Sequence, residues 1–252
     1  MSKLLSVKDR VLLGLAFLGD VLDEARLVGG LVSVKYQNLY GWVPPQYCKN
    51  DFYKAVSDLF KTQDIEKRTK KGEVCLVLTN QGRKRLVRRF PVVKFAQTKW
   101  DGMFTQVVFD IEEVARTIRD SLRQWLLALT FGRLQKSVYI TPHNIAQDVA
   151  EFVEAHHLEE AVKVFRSKLV MGDPKELAEK VWKISRLNRK YQKLVEAWEK
   201  GKGLTGKDRE ELNRKLKSAF AEIVTIDPFL PKELLPNDWI GGEARRIIQS
   251  MK

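Results

Sequence analysis

The sequence has 252 residues, of which 44% are hydrophobic, and it carries a formal net charge of +13 with a pI near 9.7. A chain of this length and apolar content can bury a core in each of two or three domains, which excludes a largely disordered protein. The basic excess favours a polyanionic partner over a basic protein without one, because clustered lysines and arginines attract phosphates.

The cysteine count and the longest apolar run exclude two further classes. Cys48 and Cys75 are too few for a disulfide scaffold, and neither has the spacing of a zinc site. The apolar run from Val11 to Gly19 is too short to cross a bilayer. We therefore expect no membrane segment and a cytoplasmic location.

The first third of the chain is its most basic part, since residues 1–96 contain 18 Lys or Arg against 9 Asp or Glu. Apolar residues at helical spacing predict a helix over residues 8–27 and a second helix that Asn50 or Asp51 can cap. The predicted buried stripe of the second helix is Phe52, Val56, Leu59 and Phe60.

Two strand-like runs follow in "DIEKRTKKGEVCLVLT", joined by a tight turn at Lys70, Lys71 and Gly72, and a short basic helix comes next. This order is typical of a winged helix-turn-helix, in which the second helix enters the major groove and the hairpin touches the flanking backbone. The residues predicted to bind DNA are Asn50, Tyr53, Lys54, Ser57, Lys61, Lys70, Lys71, Arg83, Lys84 and Arg85.

Part of this set has a second interpretation. Lys70 and Lys71 are also typical of a solvated hairpin tip, and Tyr53 is typical of partly buried packing. The cations of the basic helix are equally suited to pairing with acids of the next domain: Arg83, Lys84, Arg85, Arg88 and Arg89.

The middle third predicts the order β-α-β-β-α-β of a ferredoxin-like domain. "FTQVVFDI" is its first strand, and "GRLQKSVYIT" contains two short strands that meet at Gln135 and Lys136. Asn144 is the predicted cap of the second helix, and "AVKVFRSKLV" is the fourth strand. Five residues of the first helix are predicted to face the core: Val114, Ile118, Leu122, Leu126 and Leu129.

Asp110 ends the first strand of this domain and has two interpretations. A carboxylate here can hold Mg²⁺ for phosphodiester cleavage. It can instead cap the following helix or pair with Arg116 or Arg119. The second interpretation is favoured, which leaves a metal-dependent endonuclease as the alternative function.

The last third predicts helices. One long helix begins near Pro174, with Leu177, Val181, Ile184, Leu187 and Tyr191 on one stripe, and another runs from Thr205 to about Val224. A proline-rich tail and a terminal helix follow. The tail is expected to dock by burying Phe229, Leu230, Leu234, Leu235 and Trp239.

Two segments carry a family resemblance. "VVFDIEEVARTIRDSLRQWLLALTFGRLQKSVYIT" resembles both the Cas-two nucleases of CRISPR adaptation and the central domain of the PaaX transcriptional repressors. "DPFLPKELLPNDWIGGEAR" resembles the ending of the PaaX family, and that resemblance extends over nearly the whole chain. It is weakest in "KYQNLYGWVPPQYCKN", which in that family should supply the second helix of the winged helix and the turn before the recognition helix.

The PaaX resemblance implies a cytoplasmic, homodimeric repressor that binds double-stranded DNA and is released by an effector of the acyl-coenzyme A type. No cofactor is expected, and Mg²⁺ enters only with the nuclease alternative. The expected fold is α+β, with a winged helix over residues 1–96, a ferredoxin-like domain that forms the dimer over 97–172, and a helical domain over 173–252.

Overall fold

The computed structural model describes residues 6–18, 49–70, 73–89 and 100–251, and the elements below are numbered over those residues. Its helices and two antiparallel sheets make the chain an α+β protein, as predicted. The chain forms two compact units. Unit 1 combines Met1–Phe90, Leu187–Ile226 and Asp238–Lys252, and unit 2 combines Pro91–Arg186 and Asp227–Asn237. The predicted domain limits after residues 96 and 172 stay predictions.

Unit 1 begins with helix α1 (Val7–Leu18), whose first turn is capped reciprocally. The Ser6 N–H donates to Asp9 Oδ2 at 3.1 Å, and the Asp9 N–H donates to Ser6 Oγ at 3.2 Å. These bonds satisfy donors that a helix leaves unpaired at its start. The predicted continuation of this helix to Leu27 lies outside the described residues.

Helix α2 (Lys49–Lys61), strands β1 (Ile65–Lys70) and β2 (Glu73–Leu78), and helix α3 (Asn80–Arg89) follow along the chain. Both strands and both helices confirm elements predicted from the sequence. The predicted caps of α2 lie inside its first turn, because the helix begins before them.

Strands β1 and β2 pair antiparallel, in a register that runs from Ile65 opposite Leu78 to Lys70 opposite Glu73. Residues 71–72 join the strands, which is the length of a tight hairpin.

Unit 2 is built on a four-stranded antiparallel sheet with the spatial order β4-β5-β3-β6. Its strands are β3 (Phe104–Phe109), β4 (Gly132–Gln135), β5 (Val138–Thr141) and β6 (Val162–Ser167). A 3-10 turn (Glu113–Ala115) and helix α4 (Arg116–Ala128) connect β3 to β4, and helix α5 (Ala146–Ala155) connects β5 to β6.

The core of unit 2 lies between α4, α5 and one face of this sheet. Val107, Phe109 and Tyr139 are its main sheet residues, and Leu122, Leu126, Val149 and Val153 are among its helix residues. Because side chains alternate along a strand, Gln106 and Val108 of β3 lie on the opposite face of the sheet.

Two predictions about the helices of unit 2 are wrong. Val114 and Ile118 are exposed instead of facing inward. Val114 lies in the 3-10 turn, whose three-residue period does not continue an α-helical stripe, and Ile118 precedes Leu122, the first residue of α4 in the core. Asn144 does not cap α5, because the cap position is Ile145 and no side chain there accepts a hydrogen bond.

Helices α6 (Pro174–Trp182) and α7 (Ile184–Lys200) replace the single long helix that we predicted. Lys183 separates them, since it adopts the left-handed conformation (φ 56°, ψ 47°) that ends an α-helix. Glu179 Oε2 then accepts hydrogen bonds from the N–H (2.7 Å) and the hydroxyl (2.8 Å) of Ser185. Side-chain capping therefore restarts the helix directly after the break.

The remaining helices confirm the prediction: α8 (Gly206–Val224) and, after a 3-10 turn, α9 (Gly241–Ser250). Within unit 1, the buried Arg10 of α1 bonds to α8 through Ser218 Oγ (3.3 Å) and Glu222 Oε1 (3.1 Å). The predicted burial of the tail is only partly right. Leu230 and Leu234 are buried, whereas the other three side chains are half-buried: Phe229, Leu235 and Trp239.

Candidate nucleic-acid interface

Helix α2 carries five of the residues predicted to bind DNA, and all five side chains are exposed. They recur at three- and four-residue intervals, which places them on one side of a helix: Asn50, Tyr53, Lys54, Ser57 and Lys61. The other side of α2 is buried through Phe52, Ala55, Val56 and Leu59. We call the exposed set the α2 stripe. A helix that is buried on one side and carries polar side chains on the other has the geometry needed to enter a major groove.

The side chain of Tyr53 is more exposed than the partly buried packing that is typical of tyrosine. Its side chain is 55% exposed, and its ring lies 5.6 Å from that of Phe52. The hydroxyl end of Tyr53 is therefore accessible to a partner.

One acid lies beside the lysines of the α2 stripe. Asp58 Oδ2 forms an ion pair with Lys8 Nζ of α1, at a distance of 2.9 Å. The hydrogen bond from Lys8, together with the charges of Lys8, Lys61 and Lys54, holds the pKa of the Asp58 carboxyl below its usual value, although desolvation opposes this effect. The acid is therefore ionised at neutral pH, and α1 supplies its counter-charge.

The β1–β2 hairpin is basic and lies beside α2. Lys67 of β1 places its Nζ 5.4 Å from the centre of the Phe60 ring, a cation–π contact with α2. The predicted wing residues fall at the end of the hairpin. The strand position of Lys70 is described but its side chain is not, and Lys71 lies outside the described residues.

Helix α3 carries the last three predicted residues. Lys84 is exposed, whereas Arg83 and Arg85 are half-buried. Arg85 Nη1 donates to the carboxylate of Asp64, which is almost fully buried, and to Thr62 Oγ1 at 3.3 Å. The sequence left open whether this helix contacts DNA or pairs with acids of the next domain. Arg85 instead pairs with an acid of its own unit.

A glycine sets the position of α3. A Cβ atom on Gly82 would lie 1.9 Å from the Asp64 carbonyl oxygen, so only glycine permits this approach of helix and turn. Thr79 joins the same two segments, because its N–H donates to the Asp64 carbonyl (3.1 Å) and its hydroxyl donates to the Gln63 carbonyl (2.5 Å). Helix α3, with its basic side chains, therefore packs directly against the turn between α2 and β1.

Sequence reasoning missed Lys8, Asp58 and Asp64. Each belongs to an ion pair between distant segments, and no local spacing indicates such a pair. The reciprocal cap of α1 was readable in "SVKD", since serine followed three residues later by an acid is a typical helix start.

Asp110 lies at the end of β3 with an exposed side chain, and its N–H donates to the Ala161 carbonyl at 2.9 Å. The arginines suggested as its partners bond elsewhere: Arg119 Nη1 lies 2.6 Å from Glu113 Oε2, and Arg116 Nε lies 3.6 Å from Asp120. Among the described residues, no group of three or more His, Cys, Asp or Glu side chains is placed to hold a metal ion. In the same part of the chain, no helix has the length and hydrophobicity needed to cross a membrane.

Two family models match consecutive parts of the chain. The PaaX protein central Cas2-like domain matches residues 97–181, and the PaaX-like protein C-terminal domain matches residues 182–252. The chain belongs to the PaaX family. A curated relative, the transcriptional repressor PaaX of Escherichia coli (strain K12), is 23% identical over a match of 177 residues that covers 65% of this chain. The match spans 55% of the length of that relative.

A solved structure shows the same fold as this PaaX-family chain. It is the uncharacterized protein Rv0674 from Mycobacterium tuberculosis, with a TM-score of 0.54 and 20% sequence identity. The match covers 93% of this chain and 92% of that one.

The PaaX-type ending "DPFLPKELLPNDWIGGEAR" is anchored by two buried polar side chains. In unit 2, His143 Nε2 bonds to the Pro228 carbonyl at 3.1 Å. In unit 1, Asn188 Nδ2 donates to the Asp238 carbonyl (3.1 Å), and Asn188 Oδ1 accepts from the Ile240 N–H (3.0 Å). Trp239 packs edge-on against Tyr191, with ring centres 5.4 Å apart. The residues that carried the resemblance therefore have a structural role in this protein.

Proposed function

We propose that this chain is a sequence-specific DNA-binding transcriptional regulator of the PaaX type, and that it acts as a repressor. The observation that carries the proposal is the α2 stripe, since polar and basic side chains are presented together on a helix whose opposite side is buried. Family membership supports the same function, because the matched relative is named a transcriptional repressor.

The order of elements supports a winged helix-turn-helix in the N-terminal part of unit 1. Helices α1 and α2 precede an antiparallel hairpin and the basic helix α3, which is the order of that DNA-binding fold. In this assignment α2 is the recognition helix and the β1–β2 hairpin is the wing.

The sheet of unit 2 supports a ferredoxin-like domain that forms a homodimer. Its elements follow the order β-α-β-β-α-β, and its strands are ordered β4-β5-β3-β6. On the face away from the core, Phe165 is 49% exposed and lies opposite Gln106, beside the half-buried Val108. Val170 and Met171, directly after β6, are also exposed. Apolar side chains left in water are typical of an interface, and a second copy of the chain is the proposed partner.

The remaining parts of the proposal rest on the family. A cytoplasmic repressor of this type needs no cofactor, and an acyl-coenzyme A or a similar compound would release it from DNA. The proposed C-terminal helical domain, residues 173–252, contains the helices α6, α7, α8 and α9.

The first test is a titration of the purified protein into duplex DNA from its own upstream region and into random duplex, at about 150 mM salt. We expect at least a hundredfold preference for the upstream region, since specific regulators typically exceed that ratio. A preference near unity at all salt concentrations would contradict sequence-specific regulation.

Two matched double variants connect that result to α2. Lys54→Glu with Lys61→Glu should abolish the preference and weaken all DNA binding, because both changes place negative charge against the backbone phosphates. Lys190→Glu with Lys193→Glu on α7 makes the same change of net charge at exposed lysines. The α7 variant should retain specific binding, and equal losses in both variants would count against the α2 stripe.

The endonuclease alternative is tested in the same titration with added Mg²⁺. We expect the DNA strands to stay intact. Magnesium-dependent cuts that Asp110→Ala removes would replace the regulator with a nuclease.

A further inference from the structure

A basic cleft lies in the N-terminal part of unit 1, between the start of α1 and the end of α3. Its volume is about 450 Å³, and among the described residues it is lined by Ser6, Lys8, Asp9, Leu12, Arg85 and Arg88. That volume is within the range of cavities that hold small ligands. Three of its six lining side chains are cations, and they come from two different helices.

The cations of the cleft differ in what they already bind. Lys8 is paired with Asp58, and Arg85 is paired with Asp64. Arg88 is exposed, and within the described part of the chain it has no ion-pair partner. A guanidinium has five N–H donors, so Arg85 retains donors beyond those that it gives to Asp64 and Thr62. Among the described residues, both arginines of the cleft therefore have donors to offer a ligand.

The start of α1 adds to this positive potential. The first turn of a helix carries partial positive charge, and the Ser6 hydroxyl can donate through its proton while it accepts from the Asp9 N–H. The one acid in the lining, Asp9, is 8% exposed and directs Oδ2 to the Ser6 N–H. Its carboxylate therefore accepts from the helix start, and its negative charge offsets part of the positive potential there.

The cleft is adjacent to the α2 stripe. Lys8 lines the cleft and also forms the ion pair with Asp58, whose neighbours at helical spacing are Lys54 and Lys61. The charges of both lysines help to lower the pKa of the Asp58 carboxyl. The Lys8–Asp58 ion pair therefore connects the cleft, with its Arg85 and Arg88, to the lysines of the α2 stripe.

We propose that this cleft is a phosphate-binding site, and that in the DNA complex it takes a backbone phosphate next to the groove entered by α2. Arg88 and Arg85 donate to the phosphate oxygens, and Ser6 and Lys8 complete the site. The assignment of that phosphate to DNA rests on the proposed function, whereas the phosphate chemistry of the cleft does not. The site adds Ser6, Lys8 and Arg88 to the predicted DNA-binding residues.

The DNA test compares Arg88→Ala with Arg189→Ala, a change at an exposed arginine of α7 in the same unit. Loss of one charge-assisted contact should weaken binding roughly tenfold. A backbone contact carries no sequence information, so the loss should be equal for upstream and random duplex. The slope of log affinity against log salt should fall by about 1 in magnitude. Arg88→Lys should restore most of the salt slope, and Arg189→Ala should change neither quantity.

A second measurement separates DNA from a free phosphate compound. Inorganic pyrophosphate is titrated calorimetrically into the full-length protein and into both alanine variants, without DNA. We expect weak binding that Arg88→Ala removes and Arg189→Ala retains.

Each other outcome overturns a defined part of the proposal. Pyrophosphate binding lost in Arg88→Ala without a change in DNA affinity assigns the cleft to a free phosphate compound and overturns the backbone contact. A loss confined to the upstream duplex indicates a base contact instead. No difference between the variants in either measurement overturns the site. If the unaltered protein binds no DNA, the proposed function fails, and the pyrophosphate titration alone decides whether the cleft binds phosphate.

Discussion

Protonation of His143 should destabilise the protein, because this imidazole is buried where it anchors the PaaX-type ending. The ring is 3% exposed, and Nε2 bonds to the Pro228 carbonyl at 3.1 Å. Burial lowers the pKa of His143 from its usual value of 6.5 to about 4, and the hydrogen bond to the carbonyl only partly opposes that effect. The neutral imidazole is therefore the form that the folded protein keeps.

The sign and the size follow from these pKa values. Between pH 6.5 and pH 4 the unfolded chain binds a proton at this residue and the folded chain does not. The unfolding free energy should therefore be highest above pH 6.5 and fall as the pH drops towards 4. Since one pKa unit corresponds to about 1.4 kcal/mol, the loss assigned to His143 is about 3 kcal/mol.

Urea denaturation followed by tryptophan fluorescence, repeated from pH 7 to pH 4, measures this loss. The control is His143→Gln, whose amide stays neutral and can still donate to the Pro228 carbonyl. Carboxylates that titrate in the same range are present in both proteins, so their effect cancels in the difference. Equal dependence of the unfolding free energy on pH in the two proteins would refute the burial argument.

Three further predictions concern the packing, the helix break and the dimer. Gly82→Ala should lower the unfolding free energy by about 1–3 kcal/mol, because the new methyl group would collide with the Asp64 carbonyl. The control is Gly242→Ala, whose methyl group would lie in open space and which should have little effect in the same denaturation assay. Lys183→Gly should raise the unfolding free energy by about 0.5–1 kcal/mol, because glycine adopts the left-handed conformation without strain, and a lower value would contradict this. Phe165→Asp should shift the protein from the proposed dimer to a monomer in light scattering after gel filtration, and an unchanged mass would exclude this sheet face from the interface.

Elements whose pattern is local were predictable from the sequence. Helix α2 alternates apolar and polar residues with a period that only a helix satisfies, and its exposed stripe matches the prediction. Three of the four residues predicted to be buried, Phe52, Val56 and Leu59, are buried, whereas Phe60 is half-buried. Strand β3 and the hairpin of β1 and β2 were also predictable, because their sequence patterns are local as well. Turn residues bounded these strands at positions that the structure reproduces within one or two residues.

Features that depend on tertiary contacts were not predictable. The residues around Lys183 contain neither glycine nor proline, so the apolar stripe continues through a break that only the left-handed backbone reveals. Asn144 is a good capping residue, but α5 begins later, where Ile145 is buried in the core. In both places, packing decides where the helix begins or ends.

The ion pairs of unit 1 change what the basic charge of the chain implies about DNA binding. Counting lysines and arginines in residues 61–94 gives 11 cations against 3 acids, which suggests a large number of phosphate contacts. Arg85 is already paired with Asp64, and Lys8 with Asp58 beside the α2 stripe, so part of the positive charge is neutralised within the protein. Each cation paired in this way releases fewer counterions when DNA arrives, and the salt dependence of binding should be shallower than the count predicts. Asp58 also repels the phosphate backbone of every duplex. Only a duplex that makes favourable contacts elsewhere compensates for this repulsion. An acid held among the lysines of the proposed recognition helix therefore lowers affinity for random DNA more than for an operator, which is the direction that specificity requires.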